Sequence, residues 1–120
     1  MKPYPIISVV ITACDRPVLF KRAFISVVTA AKKLAKPVEL IIVNDGKQTL
    51  EVDTTFVENL KINYIESPNG PYMGVAASRN CAIASANGEY LLFLDDDDEL
   101  LETALVSLLN KAQSENFDLV

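Results

Sequence analysis

The 120-residue sequence predicts a Rossmann-like, three-layer αβα domain built on a mostly parallel sheet. Three observations lead there. Short β-branched, apolar runs alternate with longer stretches of helical period, the pattern of successive β-α units. Half of the residues are apolar, and a chain of this length buries roughly two thirds of its unfolded surface, so one domain over 1–120 can sustain a core. No internal repeat or low-complexity tract interrupts the alternation.

In order, the first strand is IISVVIT (6–12). The stretch VLFKRAFISVVTAAKKLA (18–35) places Leu19, Ala23, Ser26, Val27 and Ala30 at helical spacing. Lys32, Lys33 and Lys36 gather near its C-terminal end, where the helix dipole favours cations. VELIIVN (38–44) is the second strand, and TLEVDTTFVENL (49–60) is a short helix or an irregular crossover to the third strand, KINYI (61–65). GVAASRNCAIASANG (74–88) reads as a helix of small residues stopped by Gly88, a C-cap residue. YLLFL (90–94) is a continuous apolar run, as in a strand buried on both faces. ELLETALVSLLNKAQSE (99–115) is an amphipathic helix, and FDLV (117–120) starts a fifth strand. The domain is thus expected to be truncated after its fourth β-α unit, with an unpaired edge that favours self-association.

A formal charge of -5 with no histidine excludes a basic phosphate-binding face of the kind nucleic-acid binders carry, and excludes histidine chemistry. Cys14 and Cys81 are far apart and lack the spacing of a zinc site or disulfide framework, which points to a reducing compartment. The opening MKPYPIISVVITACDRP is too short for a transmembrane segment and lacks a signal-peptide pattern. A cytoplasmic domain is expected, with the inner face of a membrane as the setting for a longer protein.

Ligands of parallel α/β sheets bind beyond the carboxyl ends of the strands. Thr12 to Arg16, then Asn44, Asp45 and Gly46, and then Asp95 to Asp98 all follow strands and share that edge. The four consecutive aspartates need an explanation, since two carboxylates roughly 6 Å apart repel by about 3 kcal/mol at an effective dielectric near 20. They could cap the following helix or hold a divalent cation, Mn2+ or Mg2+, which takes one or two protein carboxylates beside water and phosphate oxygens. An EF-hand is excluded, because the sixth position from Asp95 is Leu100 and the twelfth is Val106. Arg79 has Val75 and Ile83 as its i−4 and i+4 neighbours, and pairs with either a structural carboxylate or a ligand anion. Asp45 in VNDGK and the loop SPNGPYMG (67–74) are consistent with ordinary turns.

Four segments in order resemble family 2 glycosyltransferases of the GT-A fold. They are ISVVITACDRP (7–17), ELIIVNDG (39–46), GVAASRN opening the third segment at 74, and the GEYLLFLDDDDEL that completes it at 100. The resemblance implies a metal-dependent, inverting transfer of a sugar from a nucleoside-diphosphate sugar, a UDP-sugar in particular, to an acceptor. It implies that Thr12 and Ala13 line the nucleobase pocket and that Asp45 accepts a base N–H. Arg79 would lie near the base or diphosphate. Asp95 would hold the ribose, Asp96 would lie among the nucleotide contacts, and Asp97 would hold the metal; the 96/98 pair has the same spacing as 95/97. The catalytic base is expected after Val120. Asn44, GKQ and the longer NGPYMG depart from the family's usual residues. Rival readings are a phosphoacceptor receiver domain, which expects paired acids after strand one where only Asp15 stands, and a dinucleotide-binding oxidoreductase, which expects GxGxxG there. A non-catalytic nucleotide-binding module is the third.

Overall fold

A computed structural model describes residues 4–53 and 57–120. The elements are β1 (Ile7–Ala13), α1 (Pro17–Leu34), β2 (Val38–Asn44), β3 (Leu60–Glu66), α2 (Val75–Ser85), β4 (Tyr90–Asp95) and α3 (Ala104–Ser114). The strands form one parallel sheet in the order β3-β2-β1-β4. The chain therefore steps outward from β1 to β2 and β3, then returns to the other side of β1. That reversal creates the switch point at which parallel sheets open a crevice.

Strand alternation divides the core between two faces. Ile7, Val9 and Ile11 of β1 and Leu40 and Ile42 of β2 meet α1 and α3, through Phe20, Phe24, Val27, Leu105 and Leu109. Val10, Ile41 and Val43 point to the opposite face and meet Ala82 of α2. Small residues along α2 keep that layer thin. Phe20 and Phe24 stack at 6.1 Å between centroids, each contributing about 1.5–3 kcal/mol through burial. The buried ridge of α1 runs through Phe20, Ala23, Phe24, Val27, Ala30 and Ala31. Leu19, expected on it, is 36% exposed, because the helix is rotated to seat both phenylalanines.

Three expectations change, and the alternative left open at 49–60 resolves to the irregular crossover. Among the described residues of 49–60 there is no helix; residues 54–56 lie outside the described set. The crossover is held instead by buried Leu50 and by Asn59, whose Nδ2 donates to Ala31 O and Lys36 O at 2.7 and 2.9 Å. Helix α2 ends at Ser85, followed by extended Ala86, so Gly88 is not its cap. Gly88 abuts β1: a Cβ there would lie 2.6 Å from Ser8 Oγ and nearer still to the Ser8 nitrogen. Helix α3 starts at Ala104 rather than 99, because Leu100 N donates to Ser26 Oγ of α1 at 2.9 Å and the chain crosses α1 before it coils. FDLV is not a strand. Asn116 is left-handed at φ 53 and Phe117 N donates to Ala112 O at 2.9 Å, a Schellman ending after which residues 117–120 take no strand conformation.

Candidate active-site edge

At the carboxyl edge, Thr12 pairs in register with Val43 and Asp95, and Ala13 with Asn44. Asp45 N donates to Ala13 O at 2.8 Å, locking the ends of β1 and β2 together.

The four aspartates form a tight turn in which Asp98 N donates to Asp95 O at 3.1 Å. None of them caps α3, whose N-cap is Thr103 and whose first turn carries no acid. Asp96, expected among the nucleotide contacts, is only 1% exposed and turns inward. Its Oδ2 accepts from Cys14 N at 3.1 Å and its Oδ1 meets Arg16 at 2.7 Å. The same guanidinium reaches Asp97 at 3.3 Å. Arg79 of α2 meets Asp95 at 3.2 Å and lies over the Phe93 ring, 5.2 Å from its centroid, so the arginine predicted to seek an anion finds one in the acid turn. One oxygen each of Asp95, Asp97 and Asp98 lie within 4.8 Å of one another on the exposed side of the turn. Three hard carboxylate donors on one open turn suit Mg2+ or Mn2+, with positions left for water and phosphate.

Asp45 stands on the other side of β1 and is 5% exposed. It accepts from Ser67 Oγ at 2.6 Å, Met73 N at 2.8 Å and Gly74 N at 2.9 Å. Burial pushes its pKa up, but these three donors and the nearby Tyr72 N–H outweigh that and hold it below the ordinary carboxylate value. Asp45 thus clamps the 67–74 loop across the edge. A second clamp comes from Asp15, left-handed at φ 53. It accepts from Lys47 N and Gln48 N at 2.8 and 3.0 Å and from the Tyr72 hydroxyl. Gly46 is required there, since a Cβ would lie 2.6 Å from Asp15 N. The Tyr72 bond, followed by the Gln48 N–H, lowers the Asp15 pKa, and the same bond raises that of Tyr72 to about 12. Burial first, and then Asp15, Asp45 and Asp96, raise the Cys14 thiol, with Arg16 opposing.

The structure therefore brings Arg79 to Asp95 and links Asp96 and Asp97 through Arg16, while Asp45 serves a separate cluster beyond β1. Arg16, Asp15 and Tyr72 carry this edge, yet from the sequence they had no role beyond their place on it or in the loop. A lone arginine opposite an acidic run was the available signal for Arg16; the Asp15–Tyr72 bond spans 57 positions and left none. A concavity of about 710 Å³ lies elsewhere, between α1 and the 51–62 region. The charges rather than cavity size locate the site.

A parallel sheet of this order, with its charged residues gathered at the switch point, is a Rossmann-like domain of the GT-A type. The family model for glycosyl transferase family 2 matches residues 8–120. The GalNAc(5)-diNAcBac-PP-undecaprenol beta-1,3-glucosyltransferase of Campylobacter jejuni is 33% identical over 117 residues, covering 90% of this chain and 35% of that protein. The cholesterol galactosyltransferase of Borreliella burgdorferi is 32% identical over 93 residues, covering 76% of this chain and 25% of that protein. The crystal structure of S. aureus TarS 1-349 in complex with UDP-GlcNAc shares the fold, with a TM-score of 0.72 at 19% identity, over 92% of this chain and 32% of that one. The chain belongs to glycosyl transferase family 2. It spans roughly a quarter to a third of the length of these relatives.

Proposed function

We propose that these residues form the donor-binding part of a glycosyltransferase that draws its sugar from a nucleoside-diphosphate sugar, with UDP as the nucleotide, and works with Mn2+ or Mg2+. The observation that carries this reading is the turn of Asp95 to Asp98. Its carboxylates are not spent on capping α3, and three of them face outward at the switch point, beside Arg79. Asp97, with Asp95 and Asp98 near it, would hold the cation. When bound, that cation neutralises charge growing on the departing diphosphate. Arg79 would add a fixed positive charge on the same side, and Asp95 has a second oxygen for the ribose.

Asp45 already accepts three hydrogen bonds, which leaves one of the roughly four acceptor positions of a carboxylate for a base N–H. Thr12 and Ala13 lie beside it at the end of β1. A recess of about 280 Å³ with Asn44, Lys47, Tyr64 and Ser67 in its walls adjoins this corner. Acceptor binding and the carboxylate base of an inverting transfer are not assigned among the described residues.

The test is titration calorimetry of UDP in Mn2+ and in EDTA. Tighter binding in Mn2+ is expected; equal affinity in the two buffers would remove the metal from the scheme.

A further inference from the structure

The two arms of Arg16 are unequal. One nitrogen lies 2.7 Å from Asp96, whose side chain is 2% exposed, and the other lies 3.3 Å from Asp97, in a pair where both side chains are about half exposed, at 50% and 44%. A buried carboxylate needs a charge partner, and losing it is costly. An exposed ion pair contributes little and exchanges readily with solvent and ions. Arg16 is therefore anchored on Asp96 and only rests on Asp97.

We propose that Arg16 is an internal counter-ion that competes with the divalent cation for Asp97, and that Asp96 is the positioning residue that keeps it in place. The inference rests on the metal reading given above. Without a cation, the second arm of the guanidinium fork offsets repulsion between Asp96 and Asp97. When a cation arrives, that arm leaves Asp97 while the first stays on Asp96, so the turn keeps its shape. Asp96 also accepts from Cys14 N at 3.1 Å, which ties the turn to the end of β1 throughout. Four adjacent acids are thereby divided by role: one faces inward and holds the arginine, and three face outward.

Arg16→Lys separates competition from simple charge. Lysine preserves the net charge and can still pair with buried Asp96, but a compact ammonium lacks the planar fork that spans two carboxylates. Mn2+ binding to the full chain, without nucleotide, is measured by the paramagnetic resonance signal of the free ion, and each variant's fold is checked by circular dichroism. Arg16→Lys is expected to bind Mn2+ about two- to fivefold more tightly, the scale of one exposed ion pair. Arg22→Lys, which alters the exposed pair with Glu99 at 3.1 Å, is expected to match the wild type. Asp96→Asn releases the anchored arm toward Asp97 and should weaken binding. Unchanged or weaker binding in folded Arg16→Lys overturns the proposal, as does unchanged or tighter binding in folded Asp96→Asn. Absence of Mn2+ binding from both the wild type and Arg16→Lys overturns this proposal and leaves the metal reading to the UDP titration, and wild-type binding with no change in Arg16→Lys overturns this proposal alone.

Discussion

Glu39 is a carboxylate 2% exposed in the middle of a sheet, at the end opposite the acid turn. It accepts from Ser8 Oγ at 2.8 Å, Asn87 N at 2.9 Å and Asn87 Nδ2 at 3.2 Å. Burial raises its pKa, yet Asn87 and Ser8 more than compensate, and the net shift is downward. Its proton is thus taken up by the unfolded chain first. With Asp15 and Asp45, which are also lowered, the stabilisation is complete above the ordinary values of 3.8 and 4.5 and is lost as pH falls through the lower folded ones. Glu39→Ala leaves buried donors unpaired and should cost about 2–4 kcal/mol in urea unfolding; a loss under about 1 kcal/mol would mean that water replaces the carboxylate. Nothing in the sequence singled out this glutamate, because its partners lie 31 and 48 positions away. Arg79 was more legible, since a charge among small apolar neighbours needs an anion.

Among the connecting elements, the 67–74 loop is held by side chains rather than by secondary structure. Tyr72 adopts a left-handed φ of 68, offset by its hydroxyl bond to Asp15, its N–H bond to Asp45 O at 2.7 Å and Lys47 over its ring at 5.7 Å. Since folding raises the Tyr72 pKa from 10.0 to about 12, the contact is intact below pH 10 and should release as pH climbs toward 12. Subtracting the ultraviolet titration of Tyr72→Phe from that of the wild type should isolate a phenol ionising near 12; ionisation at 10 would show that the clamp is open in solution. Strands β1 and β2 were legible because β-branched runs declare themselves. Strand β4 was found as an apolar run, but its expected burial on both faces fails, since at the edge of the described sheet it leaves Leu91 and Phe93 42% and 39% exposed. The start of α3 was not: the acids after β4 look like caps, and only the Ser26–Leu100 bond between distant segments delays the helix. The C-terminal strand was misread because Asn116 ends α3 in a way that local propensity does not display.

For the molecule as a whole, the parallel sheet and the family were readable because four motifs fall in order at the ends of predicted strands, and that order is harder to match by chance than any one motif. At this edge, Asp15 and most of the acceptor positions of Asp45 are committed to the loop, and Asp96 to Arg16. These 120 residues are therefore expected to bind UDP with Mn2+ yet show no acceptor-dependent UDP release, since general base catalysis alone supplies about 10²- to 10⁴-fold. Turnover near 1 s⁻¹, an ordinary enzyme rate, would place the base within them. The contact between Gly88 and Ser8 bears on this edge from the far end. Among the described residues, strand β4 has a sheet neighbour on one side only, so its ladder alone guards weakly against sliding. A slide that keeps its faces moves it by two residues, roughly 7 Å, and brings Ala86 or Tyr90 to the spot where a Cβ meets the Ser8 backbone. Both alternatives are blocked. Gly88 is the depth stop of the strand, and the height of the aspartates above the sheet is set from its opposite rim.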